Sequence, residues 1–104
     1  MGTFGNIVRI IARSTLLSFW QRHPDSEQQL KSWYSEVRRA KWKNPKDIKQ
    51  RYARVSILKS GRVIFNVCGN KYRLVVRVNY DYARVYIRFI GTHREYDLID
   101  GNTI

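Results

Sequence analysis

From Gly61 to Asp97 the chain alternates apolar or β-branched residues with basic ones at a period of two. Only extended backbone, whose side chains point alternately to two faces, turns that pattern into one apolar and one polar surface. Gly69-Asn70 and Tyr80 to Ala83 punctuate it, so the stretch reads as strand, tight turn, strand, loop, strand. A turn centred on Asp81-Tyr82 sets Val76 opposite Ile87 and Arg77 opposite Tyr86, which keeps like faces together. One side of the sheet then carries Leu74, Val76, Val78, Val85, Ile87 and Phe89. The other carries Arg73, Arg77, Arg84, Tyr86 and Arg88.

A face charged by arginine with a tyrosine among it suits phosphate, because guanidinium makes bidentate contacts and stacks on planar groups. The whole chain supports this. Twenty Lys and Arg stand against eight Asp and Glu, a formal charge of +12 with pI near 10.4. A polyanion such as nucleic acid is the partner class such a charge fits, with a membrane surface and an acidic protein as rivals. At 104 residues the expectation is a single domain spanning 1–104.

Upstream, Asn6–Ile11 is a β-prone run and the expected first strand. Ser14 is read as the cap of a helix with Leu16, Phe19 and Trp20 on one side. His23-Pro24 ends it. Asp25 is read as the cap of a longer helix whose apolar stripe is Leu30, Trp33, Tyr34 and Val37, with Arg38 and Arg39 at its negative pole. Asn44-Pro45-Lys46-Asp47 has the form of a helix start, and that third helix ends near Tyr52. Arg54–Leu58 is read as a strand and Gly61 as a positive-φ turn residue. The expected class is therefore α+β, with an N-terminal strand and two to three helices on one face of an antiparallel sheet. Trp33 falls in the core at this spacing, while Tyr34 and Trp42 are open to base stacking.

Cys68 is single, so it forms no internal disulfide, and it is read as a small core or edge residue. No signal peptide and no spanning apolar run are present in this sequence, and the cytoplasm is the expected location. The opening Met1-Gly2-Thr3-Phe4-Gly5-Asn6 fails as a myristoylation signal because Asn6 stands where Ser or Thr is needed.

After the last strand, Gly91-Thr92-His93-Arg94-Glu95-Tyr96-Asp97 gathers a histidine, an arginine, a tyrosine and carboxylates. The carboxylates elsewhere are scattered, so no metal site is expected, and no glycine-rich phosphate cradle is present. What remains is metal-free RNA cleavage, in which the ribose 2′-hydroxyl attacks the adjacent phosphate. That chemistry needs a base, an acid and cations for the developing charge. His93 or Tyr96 are candidates for proton transfer, and Lys71, Arg73 and nearby arginines for holding the phosphate.

The segments Asn66-Val-Cys-Gly-Asn-Lys-Tyr-Arg-Leu-Val-Val76 and Gly91-Thr-His-Arg-Glu-Tyr-Asp97 resemble the HigB toxin family of bacterial toxin–antitoxin systems. Arg9–Leu16 and Lys41–Ile48 resemble it too. The resemblance implies a RelE-like fold and cleavage of mRNA, on the ribosome and in its A site. It implies no cofactor, and neutralisation by a HigA-type helix-turn-helix antitoxin. It also implies that Arg73, His93 and Tyr96 are catalytic, a histidine standing where RelE favours arginine. Lys71, Arg77, Arg88, Arg94, Tyr86 and Arg54 complete the expected RNA- and phosphate-binding set. Two other readings compete: a ParE-type toxin that binds a protein such as gyrase, and a plain RNA-binding module.

Overall fold

The computed structural model describes residues 7–104; Asn6 of the expected first strand and the Met1–Asn6 opening lie outside the described residues. In chain order the elements are β1 (Arg9–Ile11), α1 (Arg13–Arg22), α2 (Glu27–Arg38), α3 (Pro45–Arg51), β2 (Ser56–Ile57), β3 (Arg62–Val67), β4 (Tyr72–Asn79), β5 (Arg84–Thr92) and α4 (His93–Asp97). The five-stranded sheet has the order β1-β5-β4-β3-β2. β2 to β5 form an antiparallel meander, but β1 runs parallel to β5, so the sheet is mixed rather than antiparallel throughout. Parallel pairing requires a long crossover, and here α1, α2, α3 and the meander separate the two strands.

Leu16, Phe19 and Trp20 of α1, Leu30, Trp33 and Val37 of α2, and Ile48 of α3 share one core with Val63, Phe65, Val67, Tyr72, Leu74, Val76 and Val85 of the sheet. Trp33 belongs to it, as its helical spacing predicts. Phe65 is the ring around which it is built. Trp33 and Tyr52 meet it edge-on at 5.4 and 5.0 Å, and Trp42 stacks beside it at 6.4 Å.

The helix starts partly depart from expectation. Asn44 does cap α3, accepting from the Asp47 N–H at 3.2 Å, with Pro45 in the first position. Ser14, however, lies inside α1, which begins after Ala12 without a side-chain cap. A 3₁₀ turn over Pro24–Ser26 delays the start of α2, so Ser26 rather than Asp25 takes the cap position. Arg54–Leu58 shrinks to the two residues Ser56–Ile57.

The strand register agrees with the alternation in one half and departs from it in the other. Val76 pairs with Ile87 and Arg77 with Tyr86, as a turn at Asp81-Tyr82 requires. Between Val75 and Val76 the register shifts, and Val75 pairs with Phe89, leaving Arg88 as the extra residue of a bulge. A bulge reverses the parity beyond it. Phe89 therefore comes to the arginine face opposite Val75, and Ile90 packs against the helix-side core opposite Leu74.

Tight backbone at two points explains local sequence. Gly61 has φ +84°, as its hairpin role requires. Ala83, closing the β4–β5 turn, sits at φ +51° with a side chain that disfavours that region. Ala83→Gly is expected to raise unfolding stability by about 1 kcal/mol, read as a higher urea midpoint at unchanged slope. A lower midpoint would show that the methyl group's packing outweighs the strain. Cys68, read as a strand residue, likewise occupies a left-handed position, φ +53°, in the β3–β4 loop.

Candidate nucleic-acid interface

Arg73 stands in the middle of β3, β4 and β5. Asn66 is opposite on one side and accepts from its guanidinium at 2.7 Å; Gly91 is opposite on the other. Gly91 must be small. A Cβ there would lie 2.7 Å from the Phe89 ring and 2.8 Å from a Glu95 carboxylate oxygen. The missing side chain makes room for the Phe89 ring, which the bulge brought to this face, and for the Glu95 carboxylate.

α4 begins where β5 stops. Thr92 accepts from the Glu95 N–H at 3.1 Å and the Glu95 carboxylate accepts from the Thr92 N–H at 2.8 Å, a reciprocal capping box. The Thr92 backbone N–H first, and then the Thr92 hydroxyl, hold the Glu95 carboxyl below its usual range. The Thr-x-x-Glu spacing was available in the sequence and marks the post-strand cluster as a helix. The helix places His93 at its first position, exposed, with its backbone N–H on the Lys71 carbonyl at 3.1 Å. The His93 Nε2 lies 3.5 Å from Asp97. Tyr96 is half-buried, its ring 6.3 Å from Phe89. A Cβ on Gly101 would come within 3.0 Å of the Tyr96 hydroxyl, so the residues after α4 close over it. Arg62 donates to the Ile104 carbonyl at 2.7 and 3.1 Å, which ties the same tail to β3.

The remaining sequence-derived residues fall into separate places. Arg77, Tyr86 and Arg88 line one depression of about 560 Å³ with Lys43. Arg77 lies about 13 Å along β4 from Arg73, by the rise of an extended strand. Arg94 is exposed on α4. Arg54 lines a different hollow, beside Asn66 and Gly69. Lys71 is exposed but ion-paired to Asp25, whose other carboxylate oxygen accepts from the Tyr72 hydroxyl at 2.7 Å. This joins the β3–β4 loop to the start of α2 across the core edge, where His23 stacks on Phe19 at 4.4 Å.

The Lys71 hydrogen bond, with that of Tyr72, lowers the Asp25 pKa, and Asp25 in turn raises that of Lys71. Burial first, and then Asp25, pushes the Tyr72 phenol up. A carboxyl whose folded pKa is depressed contributes stability above its unfolded pKa and loses it as pH falls through the folded value. Thermal midpoints are therefore expected to fall as pH drops below about 4, the unfolded aspartate range. Asp25→Asn should flatten that fall; an unchanged acid limb in the variant would remove Asp25 from the account.

Among the described residues no three His, Cys, Asp or Glu side chains are grouped as a metal ion would need. No described helix is long and apolar enough to cross a membrane.

Fold and surface together define a small, strongly basic α+β domain with arginines along one sheet face and a histidine- and tyrosine-bearing helix at its end. The chain belongs to the HigB toxin family, described as the RelE-like toxic component of a toxin–antitoxin system, whose profile matches residues 26–99. It is 26% identical over 92 residues to the mRNA interferase toxin HigB of Escherichia coli K12, covering 86% of this chain and 88% of the relative. The proteins named mRNA interferase HigB from E. coli O157:H7 and Shigella flexneri match to the same extent.

Proposed function

We propose that the protein is a metal-independent endoribonuclease that cleaves mRNA by attack of a 2′-hydroxyl on the neighbouring phosphate. In this reading it works in the cytoplasm on ribosome-bound message in the A site and is restrained by a HigA-type antitoxin. The observation that carries the reading is Arg73. It is held by Asn66 and stands opposite Gly91 at the end of β5, where the helix that bears His93 and Tyr96 begins. A guanidinium fixed before substrate arrives stabilises developing phosphorane charge without reorganising.

His93 and Tyr96 are the proton-transfer groups in this scheme. Arg77, Tyr86 and Arg88 follow the RNA along the sheet, and Arg94 meets it from α4. Arg54 reaches the backbone from beyond Asn66, and Lys71 contributes positive potential while paired to Asp25. The relatives' names, mRNA interferase, support the reaction class.

Brief induction followed by primer extension on total RNA tests it. Discrete new 5′ ends bearing 5′-hydroxyls are expected, as attack by the 2′-hydroxyl leaves them. Growth arrest with intact message would overturn the reading in favour of a protein target.

A further inference from the structure

Beside the arginine depression lies a second hollow, of about 360 Å³, that the catalytic scheme does not use. It opens between the loop preceding α3 and the β4–β5 hairpin, and its walls include Val8, Ala40, Trp42, Ala83 and Val85. Lys43, Val78, Asn79 and Tyr80 line both hollows, so the two join end to end. One compartment is mainly apolar with two aromatic side chains, and Lys41 and Arg84 stand at its edge. The other carries Lys43, Arg77 and Arg88 against the single carboxylate of Asp81.

We propose that the apolar compartment receives one unstacked nucleobase of a single-stranded RNA whose phosphates lie in the adjoining arginine depression. The inference rests on the reading of that face as an RNA track and adds a base subsite to it. A nucleotide has this same division, a flat apolar ring joined to an anion, and aromatic side chains accept any base face. The volume falls within the ~300–1,000 Å³ of small-ligand sites. A protein partner would need an apolar anchor with a carboxylate beside it to fill both compartments, whereas every nucleotide carries that pair.

Arg73 and Tyr80 are about 23 Å apart along the strand. The base so held therefore belongs to a nucleotide several positions from the phosphate at Arg73. The subsite would choose where the message is cut without taking part in the cut. Burial and the Asp47 carboxylate push the Tyr80 phenol up, so it stays a hydrogen-bond donor at neutral pH.

The test uses the full chain and a 2′-O-methyl hexaribonucleotide, which binds but supplies no attacking hydroxyl. Quenching of Trp42 emission is expected on binding, with Trp42→Phe as its control. Moving one abasic position along the hexamer should weaken binding about tenfold at a single register. Ala40→Trp fills the compartment from a half-exposed position and should bind the intact hexamer about tenfold more weakly, with no further loss at the abasic register. Tyr80→Ala should show the same insensitivity without adding bulk.

Equal affinity at every abasic register, or variants that keep the parent's sensitivity, would overturn the subsite. So would variants that keep RNA affinity but lose neutralisation by the antitoxin, which would make the hollow a protein-docking site. Failure of the nuclease reading looks different: message on ribosomes would stay intact while the register-specific loss persists.

Discussion

Arg73→Ala is expected to slow RNA cleavage about 10²–10³-fold, the usual cost of removing one preorganised donor from a developing oxyanion. The substitution should leave the fold standing. Arg73 is only half-buried, and its one side-chain bond among the described residues is to Asn66, so its loss costs stability on the order of 1 kcal/mol. Arg73→Lys separates charge from geometry. Lysine keeps the positive charge but lacks the planar fork that can hold Asn66 and a phosphate together, so a small fraction of the rate should return. Single-turnover cleavage of message held in the A site of purified ribosomes, with thermal midpoints of the variants as the folding control, measures both. An alanine variant that cleaves at the parental rate would place the reacting phosphate elsewhere. The rest of the arginine row would then be only a binding track.

Phe65→Ala carries the largest expected cost in stability. Its ring is 3% exposed and is touched by Trp33, Trp42 and Tyr52, residues that come from α2 and the stretches on either side of α3. Truncating a buried phenylalanine typically costs about 3–5 kcal/mol, against a total of about 5–15 kcal/mol for a domain. The cavity would be bounded by large, stiff rings that cannot easily collapse into it, which favours the upper end. A urea midpoint lowered by at least about 1 M is the expected reading. A shift much smaller than this would mean that Trp42, itself only half-buried, swings in to fill the space. The same movement would then alter the apolar hollow that Trp42 lines.

How far the chain could be read depends on which interactions set each feature. The third helix was legible because Asn44, Pro45 and Asp47 act within one turn of one another. The helix after β5 was equally legible in Thr92-x-x-Glu95, although the sequence reading of that segment rests on its histidine and tyrosine and gives it no secondary structure. The Val76–Ile87 register followed from alternation and from a turn of known reach. Nothing in Val-Tyr-Ile-Arg-Phe-Ile marks Arg88 as an extra residue, because a bulge is settled by what each strand packs against. Its consequence is central to the site, since it carries Phe89 to the face where Tyr96 and Gly91 meet it. Lys71 shows the same limit. Its charge is in the sequence, but its partner Asp25 lies 46 residues away.

Composition, periodicity and local caps by themselves determined a basic α+β chain, the two-faced meander and the arginines along one of its faces. These follow from the geometry of neighbouring residues and from the sign of the charge. Only the tertiary structure decided that β1 joins β5 in parallel, that Phe89 and Ile90 exchange faces, and that Arg73 is braced by Asn66 opposite a glycine. The tail's closure over Tyr96 and the meeting of the two hollows at Lys43 and Tyr80 were also settled there. Each of these depends on which distant surfaces bury one another, a choice made by the whole core at once and written in no single stretch of the chain.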